Sequence, residues 1–215
     1  MAAPRPAVAL ATRNSGKVRE ILEICADWPV RWVTYRDAPW PEVEESGKSY
    51  LENAGLKATA VADALGIPAI ADDSGIEVDA LGGEPGPRSA RFAGPAPKEA
   101  ENLRFLLERL RAVPEESRTA RYRCVAVYAR PGAQIHSAEA TCEGRLLFEP
   151  RGSGGFGYDP VFVPRGHHRT MAELRPDDKN AISHRGKALR ALRDMLGADF
   201  PMFASDPCEE GHESR

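Results

Sequence analysis

The chain has 215 residues, a formal net charge of −3, 42% hydrophobic residues and 28% charged residues. This length fits one large domain or two small lobes, and the slightly acidic balance argues against a broad cationic surface for duplex nucleic acid. No apolar run approaches the roughly 20 residues that cross a bilayer, and the first residues turn polar too soon for a secretory signal. We therefore expect a cytoplasmic protein with no nucleic-acid partner and no membrane contact.

The four cysteines, Cys25, Cys124, Cys142 and Cys208, are widely spaced and form no C-x-x-C pair. This spacing favours reduced thiols in a cytosolic protein over a zinc site or a disulfide framework. A bridge between Cys124 and Cys142 stays open at this point.

Apolar periodicity predicts alternating strands and helices along the chain. The predicted strands lie at 8–11, 30–35, 69–71, 76–78, 119–130, 134–142, 145–148 and 161–163. A helix is expected after Asn14 or Ser15, another along the apolar stripe from Leu51 to Leu65, and two more at about 98–112 and 178–196. This mixture favours an α/β or α+β protein with a long mixed sheet. Residues 1–200 are predicted to form one domain, and the polar segment 201–215 is predicted to be a disordered tail.

A strand, a polar loop and a helix follow one another near the N-terminus, and the loop reads Thr12-Arg13-Asn14-Ser15-Gly16-Lys17. Free N–H groups and the helix dipole make such a helix start favourable for phosphate, and Lys17 adds a formal charge. The P-loop pattern is absent. The alternative is an ordinary capped helix.

Two adjacent carboxylates, Asp72 and Asp73, follow the short buried strand at 69–71, and Ser74-Gly75 predicts a turn after them. Carboxylate oxygens at a strand end suit Mg²⁺, although a solvated turn is the alternative. Neighbouring side chains in an extended segment point to opposite sides. Asp72 and Asp73 are therefore not expected to share one role.

The segment 151–160 is rich in glycine and matches the dinucleotide-binding pattern G-x-G-x-x-G. That pattern needs a helix to begin at the glycines, whereas turn and strand residues follow here, so the match is a false one. Phe156 and Tyr158 offer aromatic faces for a purine, and the Asp159 carboxylate can accept from ring N–H groups. A glycine-rich hairpin with core aromatics is the alternative.

The triplet Ser183-His184-Arg185, preceded by Lys179, lies in the last predicted helix. His and Arg side chains there could donate to a ring carbonyl or to phosphate, or they could form a solvated helix face. A nucleophilic triad of Ser183, His184 and Asp159 is disfavoured, because the G-x-S-x-G elbow is absent.

Together these motifs resemble one family, in the order in which the family carries them. They are Thr12–Glu20 (S/T-x-N-x-x-K-x-x-E), Glu52-Asn53-Ala54 with Lys57, Ala71–Gly75, Gly155–Pro160 and Ser183–Arg185. Over roughly residues 7–197 the chain resembles the inosine triphosphate pyrophosphatases, also called dITP/XTP pyrophosphatases. Arg13 departs from the glycine that bacterial members often carry.

The resemblance implies a two-lobed α/β fold around a long curved mixed sheet with flanking helices, usually dimeric, with the active site in the cleft between the lobes. It implies that Glu45 and Asp73 bind Mg²⁺ and that Asp73 is the base that activates water. The triphosphate would be held by Thr12, Arg13, Asn14, Ser15, Gly16, Lys17 and Lys57. The rest of the substrate site would be Ser74, Phe156, Gly157, Tyr158, Asp159, Lys179, His184 and Arg185. The implied reaction converts ITP, dITP or XTP and water to the monophosphate and pyrophosphate.

Two other functions are compatible with parts of this pattern. A related pyrophosphatase family with a similar fold hydrolyses modified pyrimidine nucleotides, but it lacks the FGYDP and SHR motifs. A nucleotide-sensing module without catalysis would not need a water-activating base, so the presence of Glu45 and Asp73 argues against it.

Overall fold

The computed structural model describes residues 5–200 and 203. A mixed sheet of six strands runs through it in the order β2-β1-β3-β4-β5-β6. The strands are β1 (Ala7–Leu10), β2 (Arg31–Val33), β3 (Ala69–Val78), β4 (Thr119–Ala129), β5 (His136–Leu146) and β6 (Phe162–Pro164). Strands β2, β1 and β3 are parallel, and the pairs from β3 to β6 are antiparallel. The predicted α/β fold around a long mixed sheet is confirmed.

Within the described residues five α-helices flank the sheet: α1 (Ser15–Ile24), α2 (Tyr50–Leu65), α3 (Glu99–Arg109), α4 (Pro176–Ile182) and α5 (His184–Asp199). The Asn14 side-chain Oδ1 accepts from the Lys17 backbone N–H at 3.0 Å and so caps α1. Ser49 caps α2 in the same way, and Gly66 ends that helix with a φ of 65°.

The single helix predicted over 178–196 is wrong, because α4 and α5 are separate. Ser183 lies between them in an extended conformation, and its hydroxyl accepts from the Gly186 N–H at 3.0 Å as the cap of α5. Serine favours such a cap over a helix interior. A Cβ on Gly186 would lie 2.0 Å from the Asn180 carbonyl oxygen, so only glycine allows the two helices to meet this closely.

The turn predicted at Ser74-Gly75 is also wrong, since β3 continues without interruption to Val78 and pairs with β4 throughout. A Cβ on Gly75 would lie 2.2 Å from the Gly86 carbonyl oxygen and 2.4 Å from the Ser89 hydroxyl oxygen. Glycine is therefore needed for the close approach of the 3-10 segment Gly86–Arg91, and not for a turn.

Two smaller expectations also fail. The strand predicted at 145–148 is not a separate element, because Arg145 and Leu146 complete β5. Leu51, placed in the apolar stripe of α2, is 44% exposed, whereas Ala54, Ala58 and Val61 of that stripe are buried.

Within the described residues the buried core forms three clusters along the sheet. Helices α1 and α5 cover one face of β1 and β3, and α2 covers the opposite face. A third cluster packs α3 and the residue after it against the ends of β3 and β4 and against β6, through Leu106, Leu110, Ile76, Tyr122 and Phe162. The middle of β3 therefore lies between the third cluster and the other two.

Cys25, Cys124 and Cys142 are buried free thiols, so the structure contains no bridge between Cys124 and Cys142. Burial raises the pKa of all three, which keeps them protonated. Cys208 and most of the segment predicted to be a disordered tail lie outside the described residues. Of that segment Phe203 is described, and it is buried edge-on against the Trp28 ring. In the described part of the chain no helix is long and apolar enough to cross a membrane.

Candidate active site

Two cavities open beside the middle of β3 and meet at Asn14, Lys17, Ser74 and Ala90, which line both. The first, which we call the aromatic cavity, has a volume of about 210 Å³ and is lined further by Tyr122, Phe156, Gly157, Tyr158, Asp159, Lys179, His184 and Arg185. The second, the charged cavity, has a volume of about 270 Å³ and is lined further by Thr12, Arg13, Glu42, Glu45, Lys57, Asp73 and Arg91. The cleft thus has an aromatic half and a strongly charged half.

Asp72 is fully buried and binds cations on the side of the sheet covered by α1 and α5. Its Oδ2 accepts from the Arg185 Nε at 3.1 Å and Nη2 at 3.0 Å, and the Lys17 Nζ lies 3.2 Å away. Burial alone raises the pKa of Asp72, but the charges of Lys17 and Arg185 outweigh it and hold the pKa far below its usual value. Asp72 is therefore a permanent anion that fixes two cations at the floor of the cleft.

Glu20 is the second buried carboxylate of this network. It accepts from the Arg185 Nη1, and its Oε1 lies 2.8 Å from the Lys179 Nζ. Burial opposes its ionisation, but Arg185 and Lys179 lower its pKa to about 2. Sequence analysis assigned Glu20 no role. Glu20 is the final residue of the S/T-x-N-x-x-K-x-x-E motif, and this position could have identified it.

His184 is a buried, neutral imidazole that stacks on the Tyr122 ring, with 4.5 Å between centroids and 9° between planes. Burial, reinforced by the neighbouring Arg185 charge, holds the pKa of His184 well below its usual value. Its Nδ1 is buried and has no hydrogen-bond partner within residues 5–200 and 203. His184 lines the aromatic cavity, and a buried polar atom without a partner calls for an explanation such as a bound ligand. Tyr122, which lies in the middle of a strand, was missed because no motif marks it.

Asp159 holds the loop at 151–160 in shape. Its Oδ2 accepts from the Phe156 backbone N–H at 2.8 Å and from the Lys179 Nζ at 2.6 Å, and its Oδ1 accepts from the Tyr122 hydroxyl at 3.2 Å. Burial raises its pKa, against the lowering effect of Lys179. A Cβ on Gly155, whose φ is 70°, would lie 2.1 Å from that Oδ2. Turn residues and β6 follow this loop, so no helix begins at its glycines.

The same loop forms one wall of the aromatic cavity. Phe156 lies against Gly16, where a Cβ would come within 3.1 Å of its ring, and the Lys179 Nζ is 5.1 Å from its centroid. The Gly157 N–H donates to the Glu99 carboxylate at 3.0 Å, and the Tyr158 hydroxyl donates to the Ser89 carbonyl at 2.8 Å. The segment 156–158 is therefore held in place by contacts with Gly16, Glu99 and Ser89.

Asp73 points to the opposite side of the sheet, toward α2. Its Oδ2 accepts from the Asn53 Nδ2 at 3.2 Å, and its Oδ1 lies 3.6 Å from the Lys57 Nζ. Asn53 and Lys57 are four residues apart, so the helix turns both side chains toward β3. Burial raises the pKa of Asp73, while the charges of Lys57 and Lys17 lower it only in part. Asp73 is the more basic member of the aspartate pair.

Glu45 comes from the loop before α2, and its Oε1 lies 3.4 Å from the Lys57 Nζ. Glu45 and Asp73 thus bring two carboxylates to one cationic group, and hard oxygen donors of this kind suit a divalent cation. Among residues 5–200 and 203 no group of three or more His, Cys, Asp or Glu side chains is placed to hold a metal. Further ligands to a cation at Glu45 and Asp73 would come from water or a bound anion.

Only some residues of the segment Thr12–Lys17 line the cleft. Thr12, Arg13, Asn14 and Lys17 line the charged cavity, whereas Gly16 lies under Phe156 and Ser15 is exposed beside a separate groove. The Arg13 Nη2 donates to the Trp40 carbonyl at 2.6 Å, and its guanidinium lies over the Tyr35 ring. The structure therefore brings together all the candidate residues of the sequence analysis except Ser15 and Gly16.

Known proteins of similar sequence and structure exist. The sequence model of the Ham1 family matches residues 8–195. A dITP/XTP pyrophosphatase of Geobacillus kaustophilus is 50% identical over 186 residues, which are 86% of this chain and 91% of the relative. A HAM1 protein from Coxiella burnetii superimposes with a TM-score of 0.80 at 39% identity, covering 90% of this chain and 99% of that one. The Ham1 protein of Staphylococcus aureus gives a TM-score of 0.78 at 36% identity, covering 90% and 99%. The chain belongs to the Ham1 family.

Proposed function

We propose that this protein hydrolyses the non-canonical purine nucleoside triphosphates ITP, dITP and XTP to the monophosphate and pyrophosphate. The observation that carries the proposal is the meeting of the two cavities at Ser74. A purine in the aromatic cavity extends its phosphates past that junction into the charged cavity, beside Asp73 and Lys57. The relatives named dITP/XTP pyrophosphatase support the same substrates. Removal of such nucleotides keeps deaminated purines out of DNA and RNA.

The purine base is recognised through aromatic stacking and through hydrogen-bond donors. Phe156 offers a face for the purine, and a 6-oxo group presents an acceptor where adenine presents an amino donor. Four hydrogen bonds from Arg185 already go to Glu20, Asp72 and Ser74, whereas His184 has an unpaired ring nitrogen. His184 is therefore the side chain that meets the 6-oxo group, with Arg185 fixed behind it. Adenine sets donor against donor, and sites built on such hydrogen bonds reject the wrong base by up to about 10⁴-fold.

Asp73 acts as the general base. Its raised pKa makes it a stronger proton acceptor than an ordinary aspartate, and the Asn53 amide orients its carboxylate. The oxygen of a water molecule bonds to the α-phosphorus as its proton passes to Asp73, and the bond between the α-phosphorus and the bridging oxygen breaks to release pyrophosphate. Lys17 and Lys57 bind the phosphate oxygens and hold the α-phosphorus for attack. Glu45 and Asp73 would hold Mg²⁺, which would supply positive charge to neutralise the triphosphate.

Pyrophosphate release from ITP, XTP and ATP, with Mg²⁺ and then with EDTA, tests this function. We expect rapid release from ITP and XTP with Mg²⁺, a loss of release with EDTA, and strong discrimination against ATP. Tight ITP binding without turnover would instead identify a nucleotide sensor. Equal kcat/KM for ATP and ITP would overturn the recognition of the base.

We further propose that the protein acts in the cytoplasm as a homodimer, without a nucleic-acid or membrane partner. The net charge of −3 supports the lack of a nucleic-acid partner, and the family resemblance supports the dimer. The molar mass in solution, measured by light scattering after gel filtration, tests the dimer.

A further inference from the structure

We propose that Arg91 is a further substrate-binding residue, which contacts the pyrophosphate portion of the triphosphate. This assignment rests on the function proposed above. It concerns a residue at the end of the 3-10 segment Gly86–Arg91, outside every motif that the sequence analysis assigned to the site.

The position of Arg91 follows from the junction of the two cavities. Ala90 lines both cavities, and Arg91, the next residue, lines only the charged one. A nucleotide with its base in the aromatic cavity has its α-phosphate near the junction and its β- and γ-phosphates deeper in the charged cavity. Arg91 therefore borders the half of the cleft that receives the leaving group.

The charge of Arg91 is available to a ligand. The other cations of the charged cavity have partners within the protein: Lys57 lies between Glu45 and Asp73, Lys17 is paired with Asp72, and Arg13 donates to a carbonyl. Arg91 is exposed, and no hydrogen bond or ion pair engages its side chain within the described part of the chain. Among the described residues, Arg91 is thus a lining cation whose side chain can bind a phosphate without giving up an internal partner.

The backbone on both sides of Arg91 is fixed by one buried side chain. Asn102 of α3 is 5% exposed, its Nδ2 donates to the Ala90 carbonyl at 3.0 Å, and its Oδ1 accepts from the Ala93 N–H at 2.8 Å. Two residues before Arg91, the Ser89 carbonyl accepts from the Tyr158 hydroxyl. The base of the side chain is therefore preorganised, which lowers the entropy lost when a ligand binds.

The chemistry of the side chain suits this ligand. A guanidinium donates two parallel N–H bonds to phosphate oxygens, and such charge-assisted bonds are about twice as strong as neutral ones. In the reaction the pyrophosphate gains negative charge as its bridging oxygen leaves the α-phosphorus. A cation beside the leaving group therefore favours bond cleavage as well as binding.

The test compares Arg91→Ala and Arg91→Lys with the matched control Arg88→Ala. Arg88 belongs to the same 3-10 segment, is also exposed, and lines neither cavity. Calorimetric titration with inorganic pyrophosphate and Mg²⁺ is the first measurement. We expect Arg91→Ala to weaken pyrophosphate binding about 10-fold or more, Arg91→Lys to restore part of it, and Arg88→Ala to leave it unchanged.

The second measurement is kcat/KM for ITP and XTP. We expect Arg91→Ala to lower both by a similar factor, because the phosphates are common to the two substrates. Unchanged pyrophosphate affinity in a folded Arg91→Ala protein, or an equal loss in Arg88→Ala, would overturn the assignment. A failure of the unmodified protein to hydrolyse ITP would instead refute the proposed function, and the titration with pyrophosphate still decides the role of Arg91.

Discussion

Asp72 and Asp73 are adjacent in β3 and both are buried, yet they differ in their charged neighbours and in the direction of their pKa shift. Asp72 is fully buried between Arg185 and Lys17, and its pKa is lowered far below the usual value. Asp73 accepts from a neutral amide and has one close lysine, and its pKa is raised because burial dominates. The alternation of side chains along a strand thus lets one dipeptide supply a structural anion to one face of the sheet and a basic carboxylate to the other face.

The two aspartates also contribute to stability with opposite signs. A lowered pKa means that Asp72 stabilises the fold at every pH above its unfolded pKa of about 3.9, a contribution that is lost as the pH falls through the folded pKa. A raised pKa means that the native state binds the Asp73 proton more tightly than the unfolded state does. Ionisation of Asp73 therefore lowers the free energy of unfolding as the pH rises from its unfolded pKa through its higher folded pKa. Such a cost is expected where a group is kept for chemistry.

The variant Asp73→Asn best distinguishes the roles of the two aspartates. We expect kcat to fall by at least about 100-fold, because the general base is lost. We also expect the free energy of unfolding to stay the same or rise at neutral pH, because a destabilising buried charge is removed. Steady-state kinetics with ITP and urea unfolding measure the two effects. Turnover close to that of the unmodified protein would show that Asp73 is not the base.

Asp72→Asn is expected to destabilise the fold, in contrast to Asp73→Asn. It leaves the Arg185 guanidinium buried without its main counter-ion, and removal of one member of a buried pair costs about 3 kcal/mol or more. Urea unfolding beside Asp73→Asn provides the matched control, since both variants change the same atoms at neighbouring positions. Equal stability of the two variants would contradict the division of roles.

Lys57→Ala probes the charged cavity alone. Because Lys57 contacts Glu45 and Asp73 and lies apart from the aromatic cavity, we expect kcat/KM to fall about 10-fold for ITP and XTP alike. The preference between the two bases is expected to stay nearly unchanged. A loss confined to one base would assign Lys57 to base recognition.

The smallest effect is expected for Asn53→Ala, which removes the hydrogen bond from the Asn53 amide to the Asp73 carboxylate. That bond favours the charged form, so its loss raises the pKa of Asp73 further and moves the acid limb of the kcat/KM profile to higher pH. We expect kcat/KM to fall on the acid side of the profile and to recover as the pH rises. Leu56→Ala, an exposed change on the same helix, is the control. An equal loss at every pH would indicate a role unrelated to the pKa of Asp73.

Local sequence signals determined much of the fold and of the site. Asn14 and Ser49 identified two helix starts, because capping depends on atoms only a few residues apart. The charged loop before α1 and the aspartate pair indicated where the cleft lies. The alternation rule placed the Asp72 and Asp73 side chains on opposite faces of the sheet. The misleading G-x-G-x-x-G match was rejected because the residues after it favour turn and strand.

Tertiary contacts decided the remainder. Gly75 has the local character of a turn residue, but it serves the close approach of Gly86 and Ser89, which no local pattern encodes. The break at Ser183 likewise depends on the contact between α4 and α5. Glu20 and Arg185 are 165 residues apart, so only the folded chain shows that they form one ion-pair network. The sequence by itself determined which chemical groups the protein carries and where α1 and α2 begin. The tertiary structure decided their partners, because burial and charge pairing are properties of neighbours in space.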